Sequence, residues 1–288
     1  MMPYERILIV GYGLLGQEIH RQLSGKATIF LSDISLDNAN KIDFKNERDS
    51  FALINRLKPD LVINTAAMSD VDGCEYHYDD AFSANVSIPQ NIVLANINKA
   101  FIFDFMQIST DYIFDGRIPS GNAYNEYSKP APQSVYGLTK HCAECIIKEL
   151  MPNHYIIRTA WLFGKGRDTF IDKIVKSDMK LIQTFDQKGN CTYTKHLTSA
   201  LVRLIQDGKM GTFNITNYGA EDRETFLRYV IDKAKKKIEI RPYSERELDD
   251  EMLAKRPKNS SMESIYPWIV LPRWQDAMDE YLKEEYGI

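Results

Sequence analysis

Tyr136 and Lys140 stand four residues apart in Tyr136-Gly137-Leu138-Thr139-Lys140. On a helix, that spacing puts both side chains on one face. A free phenol titrates near ~10, and a neighbouring ammonium favours its ionised form. Such a pair suits the reduction of a carbonyl, where hydride reaches carbon and a proton reaches oxygen. Tyr136 is the expected proton donor and Lys140 the group that assists it. A further hydroxyl comes from Thr110 in the run Gln107-Ile108-Ser109-Thr110-Asp111. At the carboxyl end of a strand, where α/β sheets bind ligands, it can polarise the same carbonyl.

The hydride source is suggested by Gly11-Tyr12-Gly13-Leu14-Leu15-Gly16, a G-x-G-x-x-G turn between a predicted strand and a predicted helix. Gly11 permits the tight turn, Gly13 lets a pyrophosphate approach the backbone, and Gly16 permits close helix–strand packing. The helix N-terminus then offers its free N–H groups to phosphate. Asp33 follows the second strand and can accept hydrogen bonds from the adenosine ribose. Its charge repels a 2′-phosphate, and no Arg or Lys lies between Ser32 and Asn40. This tilts the expectation toward NADH, although a remote basic residue can still serve NADPH. Lys140 is also expected to bond the nicotinamide ribose.

Alternating elements are needed to hold these groups. Strands are predicted at Ile7–Val10, Ala27–Leu31, Leu61–Ile63, Ala100–Ile108 and Tyr155–Arg158. Helices are predicted at Leu14–Leu23, Arg48–Leu57, Asp79–Ala95 and Val135–Leu150. Leu15, Ile19 and Leu23 recur at fourfold spacing. Alternation of this kind implies an α/β protein with a Rossmann-type, doubly wound parallel sheet, whose strands are buried on both faces. The second half is less regular. It has predicted helices at Phe170–Ser177, His196–Gln206, Glu224–Lys235 and Gln275–Glu285, and a candidate strand at Thr212–Ile215. Residues 1–160 are expected to form the coenzyme-binding domain. Residues 161–288 are expected to form mainly a smaller, mixed α/β substrate-binding domain, discontinuous where segments return to the first.

Composition excludes several classes. With Lys+Arg 36 and Asp+Glu 40 the net charge is −4, so no bulk electrostatic case for nucleic acid or an anionic membrane exists. Four cysteines do not make a disulfide framework. No signal sequence or membrane span is visible. The expectation is a cytoplasmic monomer or homodimer acting on a small molecule.

Several motifs together resemble the dTDP-4-dehydrorhamnose reductase family of extended short-chain dehydrogenases/reductases. They are Pro59-Asp60-Leu61-Val62-Ile63-Asn64-Thr65-Ala66-Ala67, Ser69-Asp70-Val71-Asp72, Ser109-Thr110-Asp111-Tyr112-Ile113-Phe114-Asp115-Gly116 and Arg158-Thr159-Ala160-Trp161-Leu162-Phe163-Gly164. Asp186-Gln187, Arg256-Pro257-Lys258-Asn259-Ser260 and Leu271-Pro272-Arg273-Trp274-Gln275-Asp276-Ala277 extend the likeness through the second half. The resemblance implies reduction of C4 of dTDP-4-keto-L-rhamnose by NADPH or NADH. It implies a coenzyme site that includes Gly11, Gly13, Leu14, Leu15, Gly16, Asp33, Asp43, Ala66, Ala67 and Asn85, with Tyr136 and Lys140. A sugar pocket of Ser69, Val71, Thr110, Asp111, Tyr112 and Trp161 is implied too, with Arg256 near the diphosphate. Related 4,6-dehydratases carry Thr-Asp-Glu where this chain has Thr110-Asp111-Tyr112. A non-catalytic alternative also exists, because the regulatory subunit of methionine adenosyltransferase resembles the same family.

The sequence departs from the family pattern at several points. Its glycine turn is one residue shorter than G-x-x-G-x-x-G. The family's G-x-N-F becomes Gly166-Arg167-Asp168-Thr169-Phe170, V-D-K-x-E becomes Val71-Asp72-Gly73-Cys74-Glu75, and G-x-P-T-Y becomes Gly189-Asn190-Cys191-Thr192-Tyr193. Lys195 stands where some members use a glutamate to hold magnesium, and no metal is expected. Cys142 and Cys145 read as helix-packing thiols.

Overall fold

A computed structural model describes residues 2–37, 40–97, 102–244 and 254–288. Six strands form one all-parallel sheet: β1 (Arg6–Val10), β2 (Thr28–Ser32), β3 (Leu61–Asn64), β4 (Asp104–Thr110), β5 (His154–Thr159) and β10 (Gly211–Asn214). Their order is β10-β5-β4-β3-β1-β2, so the chain changes direction across the sheet at β1 and β3. Ligands of doubly wound folds bind outside the carboxyl ends of strands at such a switch.

Side chains of a strand alternate between its faces. Ile7 and Ile9 therefore enter one core with α1 (Leu14–Leu23) and α8 (Thr194–Asp207). Leu8 and Val10 enter the other, with α2 (Glu47–Leu57), α5 (Ile88–Ile97) and α6 (Val135–Leu150). All four side chains are buried, and each such burial stabilises the fold by ~1.5–3 kcal/mol. Both β10 and α8 come from the second half of the chain, and both pack onto the first half's sheet.

A separate core unites α7 (Phe170–Lys176), α9 (Arg223–Lys233) and α10 (Trp274–Tyr286) around Phe163, Tyr193, Phe226 and Trp274. Short paired strands edge this region: β6 (Leu162–Phe163) with β9 (Thr192–Tyr193), β7 (Leu181–Thr184) with β12 (Glu239–Pro242), and β8 (Lys188–Gly189) with β11 (Glu221–Asp222). No described helix is long and apolar enough to cross a membrane.

Three local expectations need correction. The helix expected at Asp79–Ala95 is α4 (Tyr78–Phe82), a π-turn at Ser83–Ser87 and then α5. A π-turn inserts an extra residue and rotates what it carries; here it carries Asn85. A short helix not foreseen, α3 (Val71–Tyr76), precedes it, with Asp70 accepting from Gly73 N at its start. The strand expected from Ala100 begins at Asp104, and residues 100–101 lie outside the described ones.

Candidate active site

The glycine turn follows β1 and lies against the turn after β3. Gly11 has φ +91, and a Cβ there would fall 2.5 Å from Ala66 N. Only glycine supplies both this conformation and this approach. Gly16 does not line the cavity; it packs on the turn, where a Cβ would meet Gly11 O at 2.2 Å. At Gly13, by contrast, the space is open apart from one Arg167 atom 3.9 Å away. The first turn of α1 has no side-chain cap and no acidic residue, so its N–H groups face the cavity mouth unopposed.

Asp33 braces this turn. Its carboxylate accepts from Tyr12 N at 2.7 Å and from Ser35 N and Oγ at 2.7 and 2.6 Å. Burial pushes Asp33 up, yet the bonds from Ser35 and Tyr12 and the Arg167 charge hold it below the ordinary value.

A cavity of about 1100 Å³ runs from this turn to the end of β5, roomy beside the ~300–1,000 Å³ of common ligand pockets. Its wall brings together Gly11, Gly13, Leu14, Leu15, Asp33, Asp43, Ala66 and Ala67 with Ser69, Val71, Thr110, Asp111, Tyr112, Tyr136, Lys140 and Trp161. Asn85 is not on it. Asn85 accepts from Met68 N at 2.9 Å and donates to Met68 O and Thr139 Oγ1 at 3.1 Å, so it holds a wall segment in place. Asn64 likewise accepts from Ala66 N at 3.1 Å while donating to buried Gln107 at 2.8 Å.

The reactive end is built where β4 and β5 meet α6. Ser134 caps α6 by accepting from Gly137 N at 3.2 Å, and Glu75 accepts from Val135 N at 2.8 Å. A Cβ on Gly137 would sit 2.2 Å from Tyr112 O, so a glycine is what lets α6 press against the Tyr112 segment. Tyr136 and Tyr112 meet edge to face, with centroids 5.8 Å apart. Glu144, one further helical step beyond Lys140, fastens α6 to the sheet. It takes Ser109 Oγ at 2.6 Å and two bonds from Arg158, at 3.0 and 2.8 Å. Burial raises the Glu144 carboxyl, but Arg158, Lys148 and Ser109 bring it below its usual value.

The charges differ from the sequence expectation. Lys140 Nζ donates to Ile108 O at 2.6 Å, and burial pulls Lys140 down to about 8 despite Glu144. Tyr136 is driven upward by burial; a Thr110 hydrogen bond lowers it, while Asp111, Tyr112 and Cys74 raise it further. Burial takes Asp111 up to about 6 against the hydrogen bonds from Ser260 and Thr110. Its two oxygens receive Ser260 Oγ at 2.5 Å and Thr110 Oγ1 at 3.1 Å. Thr159 Oγ1, beside Thr110 in register, is buried and unpartnered on the cavity wall.

The opposite wall is made of side chains from the second half. Trp161 lines the cavity with a left-handed φ of 39°, a conformation that costs ~1–3 kcal/mol. Its indole N–H is buried without a partner. Arg223 stacks behind it, 5.1 Å from the Trp161 and Phe170 ring centroids. Among the described residues no carboxylate pairs with this guanidinium. Burial lowers its proton affinity, Tyr112 and Asp111 raise it, and Arg256 lowers it. Arg256, expected near the diphosphate, lies off the cavity wall. It is tied to Asp72 by bonds of 2.6 and 2.5 Å and stacks on Phe185 at 4.0 Å. Gln187 donates to Tyr112 OH at 3.1 Å.

Arg223, Arg167 and Glu144 were missed from sequence. Glu144 had a signal, since Tyr136, Lys140 and Glu144 share one fourfold spacing. Arg223 had none, because distant segments bring it in, and Arg167 stood only within the altered Gly166-Arg167-Asp168-Thr169-Phe170 stretch. Lys195 bridges Glu280 and Glu284 at 2.7 and 2.5 Å. Among the described residues no group of metal-ligating side chains assembles.

Known proteins match this architecture. The RmlD substrate binding domain family matches residues 5–286. The spore coat polysaccharide biosynthesis protein SpsK of Bacillus subtilis is 30% identical over 288 residues, covering 97% of each chain. The crystal structure of a dTDP-4-dehydrorhamnose reductase from Clostridium acetobutylicum superposes with TM-score 0.86 at 31% identity, covering 97% of this chain and 99% of that one. The Bacillus anthracis dTDP-4-dehydrorhamnose reductase, solved in complex with NADP, gives TM-score 0.86 at 27% identity with the same coverage. The chain thus belongs to the RmlD substrate binding domain family, as an NAD(P)-dependent reductase of 4-keto sugars.

Proposed function

We propose that this protein reduces the C4 keto group of a dTDP-4-keto-6-deoxysugar, with dTDP-4-dehydro-L-rhamnose as substrate and dTDP-L-rhamnose as product. The observation that carries the reading is the meeting of Thr110, Tyr136 and Lys140 on one cavity wall, between the open glycine turn and Trp161.

The residues present fit a nicotinamide dinucleotide. Gly13 leaves room for a pyrophosphate, Asp33 keeps its carboxylate ionised beside it, and Thr159 offers an unpartnered buried hydroxyl further along. Gly11, Gly13, Leu14, Leu15, Asp33, Asp43, Ala66 and Ala67 would hold it, with Tyr136 and Lys140 at its reactive end. When bound, the reduced nicotinamide supplies hydride to C4. Tyr136 then gives its proton to the carbonyl oxygen, a step that suits a high-pKa phenol because the developing alkoxide is a stronger base. Thr110 bonds the same oxygen and orients it. Lys140 keeps a positive charge in the same cavity while the oxygen gains negative charge.

Ser69, Val71, Asp111, Tyr112 and Trp161 would surround the sugar. Arg223, stacked behind Trp161 and without a carboxylate partner among the described residues, would offer the diphosphate its donors from behind the cavity wall, whereas Arg256 is held by Asp72. Tyr112 bonds Gln187 and supplies no carboxylate, and both oxygens of Asp111 are engaged. Elimination of the dehydratase kind therefore lacks its acid/base pair.

The test is turnover of dTDP-4-keto-L-rhamnose and its C5 epimer with NADPH and NADH, with product stereochemistry read by NMR. Preferred turnover of the L-sugar supports the proposal. Turnover of a different nucleotide 4-keto sugar alone would replace its substrate, and no turnover of any would overturn it.

A further inference from the structure

The loop between β6 and α7, residues 164–169, reaches across to the glycine turn. Gly166 lies so close to Gln17 of α1 that a Cβ would be 2.7 Å from its Oε1. Gln17 in turn donates to Tyr12 O at 3.1 Å, inside the turn itself. These contacts set Arg167 above the turn. Its Nη1 is 3.9 Å from where a Gly13 Cβ would sit, and it lines the cavity with Gly11, Gly13 and Asp33. Neighbouring Asp168 is paired with Lys176 at 2.5 Å, and Arg167 makes no ion pair among the described residues.

The charges around the cavity give this position a purpose. Asp33, Asp43, Asp80, Asp111 and Asp168 line the wall, against Lys45, Lys140 and Arg167. Lys140 is committed to Ile108 O. An anion docking at Gly13 would meet the N-terminus of α1, worth about half a positive charge, inside an acidic frame. Among the described residues, Arg167 is the cation placed against Gly13. Two of the departures from the family pattern also meet here: the shortened glycine turn and the altered Gly166-Arg167-Asp168-Thr169-Phe170 stretch.

We propose that Arg167 is a ligand of the coenzyme's pyrophosphate, supplied by the second half of the chain and clasping the phosphates opposite the N-terminus of α1. The contact is to phosphates that NADH and NADPH share, so Arg167 strengthens both coenzymes and does not choose between them. This rests on the reductase reading, and the experiment separates the two.

NADH, NADPH and ADP-ribose are titrated into the wild-type chain, Arg167→Ala and Arg167→Lys by calorimetry, with thermal melting to verify folding. Arg167→Ala should weaken all three by a similar factor, about ten- to hundredfold for one charge-assisted contact. Arg167→Lys should recover part of the loss, and higher salt should shrink the difference. A loss confined to NADPH would place Arg167 on the 2′-phosphate and overturn the proposal. Unchanged affinity for all three would overturn it too, while leaving the reductase reading intact. A wild-type chain that binds neither coenzyme would overturn both.

Discussion

The two walls of the cavity are built by different means. The wall at β1 and β3 is largely main chain: Gly11, Gly13, Ala66 and the first turn of α1, braced by Asp33 and Asn64. The facing wall is side chains from the second half, with Trp161 in a strained conformation on it and, behind it, Arg223 stacked on Trp161 and Gln187 and Ser260 holding Tyr112 and Asp111. A backbone wall suits a ligand used throughout a superfamily, since backbone N–H groups do not change with sequence. A side-chain wall can be revised one residue at a time, and it is where the family's substrates can diverge. α6 joins the two, carrying Tyr136 and Lys140 and anchored by Glu144.

This division can be broken at graded cost. Tyr136→Phe removes only the proposed proton donor at the seam. Its kcat should fall about 10²–10⁴-fold while the Kd values for NADPH and dTDP hold. Near-wild-type turnover would remove Tyr136 from its role. Glu144→Ala leaves buried Arg158 without its carboxylate and should cost ~3–5 kcal/mol in urea unfolding. A loss below that of an ordinary surface substitution would mean that α6 is held some other way.

Arg223→Gln attacks the second wall alone. Its KM for the nucleotide sugar should rise about ten- to hundredfold, with unchanged affinity for NADPH. A matching loss of coenzyme affinity would show that the walls are not independent. pH offers a smaller perturbation at the seam. Lys140 is charged below about 8 and neutral above it, so kcat/KM should fall about tenfold per pH unit on the alkaline side. The same shift acts on stability. Between about 8 and the ordinary lysine value of 10.5 the unfolded chain binds the extra proton, so this group makes the fold more stable as pH rises. Lys140→Met should abolish that slope, and an unchanged slope would assign it elsewhere. Asp33→Asn should have the mildest effect, weakening coenzyme binding by about fivefold, the worth of one net hydrogen bond, with KM for the sugar unmoved.

Legibility followed the same division. The bounds of α1 and α6 were both legible, those of α1 from the fourfold spacing of Leu15, Ile19 and Leu23, and the buried parallel strands from short apolar runs such as Ile7-Leu8-Ile9-Val10. Gly11 and Gly13 were readable because a tight turn before a helix has few solutions. Asn85 was harder. The resemblance placed it at the coenzyme, but the π-turn that carries it aims its amide at Met68. Arg256 carried a family motif, yet Asp72 holds it. Arg223 sits in a stretch with no local pattern and Arg167 in one that departs from the family's, and only packing makes their charges significant.

By itself the sequence determined what depends on near neighbours: the alternation of strands and helices, the glycine turn and the single helical face shared by Tyr136 and Lys140. These arise from steric limits and repeat lengths acting over a few residues. Only the tertiary structure decided where β10 and α8 return to the sheet, that Ile108 O holds the Lys140 ammonium, and that Arg167 lies over Gly13. Those outcomes depend on segments far apart in the chain, and the chemistry of a charged group depends on what surrounds it.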